Sequence, residues 1–142
     1  MIHGHRGDCC MLTVEETIVV NAPVENVWET IGDFGRFWIP QITIAMIKAD
    51  EREMATPDGG SVVERLLQRS PARHELSYAM VRGDLPVDDY LSTLRAEACT
   101  DGTRVTWQAR FRANGVSDVQ AVETIRDLYR RALAVLKAVL QG

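Results

Sequence analysis

Between Val62 and Leu94 apolar and polar residues alternate in three successive runs, VVERLLQRS, HELSYAMV and DDYLSTL, broken at Ser70-Pro71-Ala72 and Gly83-Asp84-Leu85-Pro86. Period-two patterning punctuated by Pro and Gly predicts consecutive antiparallel strands. The same period defines candidate strands at Ile42 to Ala49, Glu51 to Thr56, Ser61 to Gln68, His74 to Val81, Asp89 to Ala98 and Thr103 to Arg112. Upstream, the Thr-, Val- and Ile-rich stretch from Leu12 to Val20 reads as a half-exposed strand. Pro57-Asp58-Gly59-Gly60 and Asp101-Gly102 supply the positive φ that tight hairpins need, so sequential strands are expected to be neighbours.

Two stretches change period. After Asn21-Ala22-Pro23, the residues Val24, Val27, Trp28 and Ile31 follow at helical spacing, and Gly32 ends a short helix. Phe34-Gly35-Arg36-Phe37-Trp38 forms a second short turn before Pro40. Downstream of Asn114-Gly115, Ser117 or Asp118 caps a long helix whose apolar positions Val122, Ile125, Leu128, Tyr129, Ala132, Leu136 and Val139 repeat at three and four. A helix of about 22 residues is ~33 Å long and crosses a whole sheet. The sheet must curl around it, and a cavity can remain where the two diverge.

Strand parity then sorts the side chains. Leu76, Tyr78 and Met80 point inward from one strand, Tyr90, Ser92, Leu94 and Ala96 from the next, and Val105, Trp107, Ala109 and Phe111 from the last. Arg65 and Arg69 belong outside, which puts Val62, Glu64 and Leu66 inside. Glu64 is the exception on this wall. A carboxylate facing an apolar interior must be paired, wetted by cavity water or protonated.

Composition narrows the possible partners. A chain of 142 residues, 46% apolar, is one domain's worth and needs no staple. A net charge of −4 argues against a nucleic-acid surface or an anionic membrane, since the Lys and Arg residues are dispersed among acids. No apolar run reaches the ~20 residues that span a bilayer, and no secretory signal is visible, so a cytoplasmic location is expected. Cys9, Cys10 and Cys99 are odd in number and read as reduced thiols. Residues 1–10 lack periodicity and read as a disordered leader before a single domain at 11–142; His3, His5, Cys9 and Cys10 offer only an adventitious metal site, and Arg6-Gly7-Asp8 is a chance tripeptide.

The order of these features resembles the SRPBCC or START-like (birch-pollen-allergen-like) superfamily, in particular its bacterial polyketide cyclase/dehydrase-like branch. The likeness rests on a strand and proline-started helix with Val27-Trp28, a Phe-Gly and Trp-x-Pro corner, VVERL, LSY, a Gly-x-Leu-Pro-Val-x-x-Tyr run, GTxVTW and the long final helix, and it covers Met11 to Leu140. It implies an α+β helix-grip fold: a seven-stranded antiparallel sheet curved around a long C-terminal helix, with two short helices between strands 1 and 2. A more distant likeness, to the plant abscisic-acid receptors, runs ungapped from Glu64 to Ser92. It implies pocket-lining roles for Glu64, Tyr78, Met80, Val87, Tyr90 and Ser92, with Leu128 and Ala132 contributing from the helix. The receptors' gate loop falls at Ala55-Thr56-Pro57-Asp58-Gly59 and their latch at Leu85-Pro86, where their motifs are not kept, so hormone-receptor chemistry is not implied.

Trp107, inward on the last strand, joins the candidate wall, with core packing as the competing reading. For Glu64 the alternatives are ligand contact and a structural carboxylate meeting Arg or backbone donors; for Tyr78 and Tyr90 they are ligand hydrogen bonds and satisfied wall residues. Ser92 has no Ser-His-Asp companions, His74 sits beside a turn, and no catalytic residue, cofactor or metal set is assigned. The inward set favours binding or carriage of a small hydrophobic molecule. A neutral or hydrogen-bond-donating ligand is preferred beside Glu64. A cyclase/dehydratase-like enzyme is the alternative that the family name invites, and an interaction module with a filled interior is the third reading.

Overall fold

The computed structural model describes residues 11–56 and 59–141. The expectations for the leader and for Pro57-Asp58 lie outside the described residues. Strand β1 (Leu12–Val20) leads through helix α1 (Val24–Ile31) to β2 (Thr43–Lys48), β3 (Glu51–Ala55), β4 (Ser61–Ser70), β5 (Glu75–Gly83), β6 (Val87–Cys99) and β7 (Gly102–Ala113). Helix α2 (Asp118–Gln141) follows. The strands form one antiparallel seven-stranded sheet in the order β1-β7-β6-β5-β4-β3-β2. Each strand from β2 to β6 pairs with its successor, as hairpin chemistry requires, and β1 closes against β7 over the full run from Leu12↔Phe111 to Val20↔Thr103.

The expected seven strands, α+β class and long C-terminal helix are all present. Between β1 and β2, however, only one α-helix forms among the described residues. Residues 33–42 run instead as turns, held by Arg36 N–H to Asp33 O, Ile42 N–H to Ile39 O and Gly35 N–H to the Asp33 side chain. Gly35 and Pro40 interrupt a segment too short to nucleate a helix. This corner is fastened to α2 by the Trp38 indole, whose N–H donates to Ala132 O at 2.7 Å.

Helix α2 packs mainly on β1 and β7 through Ala121, Ile125, Tyr129, Ala132, Leu133 and Leu136. The core between helix and sheet is dominated by aromatics, with Trp107, Tyr78, Tyr129 and Phe111 all fully buried. The β6–β7 hairpin closes at Gly102, whose φ of +130° suits glycine, and a Cβ there would sit 2.3 Å from Val20 O. Strand β4 departs from strict alternation: a bulge between Val63 and Glu64 leaves Val62, Val63 and Glu64 all buried.

Candidate functional site

Strand β3 reads Glu-Arg-Glu-Met-Ala, and its period of two sends Arg52 and Met54 inward while Glu51 and Glu53 are half-exposed. Arg52 is paired in register with Glu64 on β4. Its Nε and Nη2 both donate to Glu64 Oε1, at 3.0 and 2.7 Å, and Nη1 donates to Phe34 O at 3.1 Å. The guanidinium lies 4.1 Å from the Phe34 ring centroid and 5.5 Å from that of Tyr78. Arg52 and Glu64 are 4% and 5% exposed, so the charges meet inside the protein. Burial pushes the Glu64 carboxyl above its usual range, and the Arg52 charge and hydrogen bonds pull partly back. Oε2 has no hydrogen-bond partner among the described residues.

Beside this pair the three tyrosines of the chain converge. Proton counting fixes the direction of their network. Ser92 Oγ donates to Gln108 O at 3.2 Å, so its single proton is used there. Tyr129 must then donate to Ser92 Oγ, 2.8 Å away, and Tyr90 to Tyr129. The Trp107 indole N–H donates to Ser92 Oγ at 2.8 Å and more weakly to the Tyr78 hydroxyl at 3.2 Å. The Trp107 ring stacks on Tyr129 with centroids 3.9 Å apart and planes 7° from parallel. All three phenols are held well above their usual pKa, mainly by desolvation. They are neutral hydrogen-bonding groups at ordinary pH.

Between the ion pair and the tyrosines lies a chamber of about 70 Å³, walled by Phe37, Met54, Val62, Glu64, Tyr78, Tyr90 and Trp107, with Leu128 and Ala132 from the helix. Ile39, Ile42, Thr56 and Leu128 are shared with an outer groove of about 520 Å³ that continues along α2 past Arg131 and Val135. The chamber therefore has its mouth between the 39–42 turn and the helix.

Of the residues nominated from sequence, Glu64, Tyr78, Tyr90, Trp107, Leu128 and Ala132 are brought together around this chamber. Ser92 stands behind the wall, its acceptor and donor capacity used inside the network. Met80 and Val87 instead line a groove between β5 and β6, which shares Leu85 and Tyr90 with the chamber. Arg52, Tyr129 and the Ile39 and Ile42 mouth were not nominated. The inward parity of Arg52 with Met54 was readable from EREMA, and Tyr129 lay on the apolar stripe of the final helix. His74 is less exposed than a turn residue suggests: its ring meets Trp28 edge-on, and Nε2 lies 3.0 Å from Glu25 Oε2.

The fold and sequence have clear relatives. An uncharacterized protein from Bacillus thuringiensis is 26% identical, with a TM-score of 0.84 over 93% of this chain and 99% of that one. The protein XoxI from Bacillus cereus is 25% identical, with a TM-score of 0.79 over 92% and 95% of the two chains. A START superfamily protein from Mycobacterium smegmatis, 14% identical, shares the fold with a TM-score of 0.73 over 90% and 96%. No curated protein gives a significant sequence match. Residues 11–141 match the family described as polyketide cyclase / dehydrase and lipid transport, and the chain belongs to that family.

Proposed function

We propose that the protein binds a small, uncharged, mainly apolar molecule, with a hydrogen-bond donor of the ligand placed against Glu64 and its apolar remainder in the groove along α2. The observation that carries this reading is Glu64 Oε2, unpartnered among the described residues, at the wall of a mainly apolar chamber that opens onto a mainly apolar groove. A volume of about 70 Å³ is below the ~150 Å³ of a cavity that takes up benzene, so the chamber receives the end of a ligand rather than the whole of it. A ligand carboxylate at that end would meet the Glu64 charge.

Binding is favoured over catalysis by the internal hydrogen bonding of Ser92, Tyr90 and Tyr129. Ser92 accepts two hydrogen bonds and donates one, and Tyr90 and Tyr129 are spent on one another and on Ser92. These groups shape the wall and hold the aromatic rings in place. A cyclase or dehydratase needs both an acid and a base free to exchange protons with substrate; Glu64 Oε2 offers one such group, while Ser92, Tyr90 and Tyr129 are engaged with one another. Titration of the ¹⁵N-labelled protein with 1-octanol tests the site. Amide shifts centred on Ile39, Ile42, Thr56, Glu64 and Leu128 are expected; saturable shifts elsewhere with these residues unmoved would overturn the assignment.

A further inference from the structure

The sheet is split between β5 and β6. Their ladder runs from Glu75↔Arg95 to Ala79↔Leu91 and stops there. Beyond it β5 continues to Gly83 paired only with β4, through Glu64↔Met80, Val63↔Arg82 and Val62↔Gly83. Strand β6 starts at Val87 paired only with β7, through Val87↔Ala113 and Asp88↔Arg112. Two local features part the strands. A bulge between Asp88 and Leu91, with Asp89 at φ 51°, turns β6 away, while Gly83 draws β5 onto β4 so closely that a Cβ would lie 3.1 Å from Val62 Cα.

The result is an open groove of about 900 Å³. Its apolar lining comes from Met80, Leu85 and Val87, with the exposed Val81 and Leu91 beside them. Three arginines, Arg82, Arg110 and Arg112, face two aspartates, Asp88 and Asp89, which leaves a net charge of +1. Asp89 pairs with Arg112 at 3.1 Å, and Asp88 accepts from Asn114 at 3.2 Å. Arg82 and Arg110 have no ion-pair or hydrogen-bond partner among the described residues. The Arg112 Nε–H is buried and equally unpartnered there. Arg82 and Arg110 are exposed, so their guanidinium donors are open to a ligand at the groove.

We infer that this split is a second binding site, for the anionic head of a single-chain amphiphile: the head is held by Arg82 and Arg110, and the chain lies over Met80, Leu85 and Val87. Guanidinium groups suit phosphate or carboxylate oxygens, and the apolar lining selects against a bare anion. The site does not rest on the interior reading, since it uses the opposite charge logic and none of the Glu64 pair.

Decyl phosphate, kept below its micelle concentration, is the direct probe. It should shift the amides of Arg82, Asp89, Leu91, Arg110 and Arg112, and Arg82→Gln with Arg110→Gln should weaken binding about tenfold or more. Both substitutions are of exposed side chains, so folding is expected to survive. Glu64→Gln should leave this affinity unchanged while altering the 1-octanol response, which separates the two sites. Unchanged affinity in the double variant would overturn the proposal, as would inorganic phosphate binding as tightly or 1-decanol producing the same shifts at these amides. Cosedimentation with phosphatidylglycerol vesicles, lost in the double variant, would identify a membrane-presented head group. Binding of decyl phosphate without the vesicles would identify a free amphiphile; both place the anionic head at the split.

Discussion

Arg52 and Glu64 are direct register partners across β3 and β4, and the arginine Nη2 donates to the glutamate Oε1 at 2.7 Å with both side chains almost wholly buried. Neither charge is solvated by bulk water, so each depends on the other. Breaking such a pair by removing one member costs about 3–5 kcal/mol, because the other charge stays behind unpaired. Arg52→Met is expected to lower stability by about that amount in urea unfolding. The double variant Arg52→Met, Glu64→Leu should recover most of the loss. A double variant as unstable as the single one would mean that the site needs the charges for folding itself.

Glu64 also carries a pH signature. Its folded pKa is raised above 4.5 because burial outweighs the help from Arg52. The folded chain therefore binds this proton more tightly than the unfolded chain does. The contribution to stability is full below the unfolded pKa and is lost as pH rises through the folded one. A ¹³C titration of the Glu64 carboxyl should give a midpoint above 4.5 and move higher still in Arg52→Met. A midpoint below 4.5 in the native protein would show the ion pair outweighing desolvation.

The tyrosines act at the other end of the pH scale. All three residues of this type, Tyr78, Tyr90 and Tyr129, are buried and raised well above 10. Above pH 10 the unfolded chain releases phenolic protons that the folded chain retains, so the native state binds more protons and stability falls as pH rises. Absorbance at 295 nm should stay flat through the range of free tyrosine and then rise in one step together with loss of the native circular dichroism. A separate phenolate step in the folded protein would contradict the packing described for the cluster.

The proton chain from Tyr90 through Tyr129 and Ser92 to Gln108 O ranks two substitutions. Ser92→Ala strips the acceptor from both the Tyr129 O–H and the Trp107 N–H, whereas Tyr90→Phe removes only the first donor. Losses of about 2–3 kcal/mol for Ser92→Ala and about 1 kcal/mol for Tyr90→Phe are expected from chemical denaturation. The reverse order would mean that the protons run the other way.

Much of this architecture could be read from side-chain parity. The inward sets of β5, β6 and β7 follow from strict alternation, and the final helix from its apolar stripe. What parity could not reveal was pairing. Glu64 was visible as a misplaced carboxylate, but its partner lies on another strand, and the β3–β4 register that joins Arg52 to it depends on a hairpin whose length sequence alone leaves open. Met80 shares the parity of Tyr78 and still lines the groove where the sheet parts beyond Ala79, whereas Val87, of opposite parity to Tyr90, is buried because the bulge at Asp88 to Leu91 shifts the alternation between them. The second short helix implied by the resemblance is absent among the described residues for a local reason: Gly35 and Pro40 favour turns over a run that short.

Calorimetry with 1-octanol, comparing the native protein with Glu64→Gln and 1-octanol with octanoate, tests the interior site most directly. The native protein should bind the alcohol at least about tenfold more tightly than the carboxylate at this site, and Glu64→Gln should abolish that preference. Circular dichroism of the variant establishes that it is folded. Equal binding of alcohol and carboxylate by the native protein, or a preference unchanged in folded Glu64→Gln, would show that Glu64 does not receive the ligand.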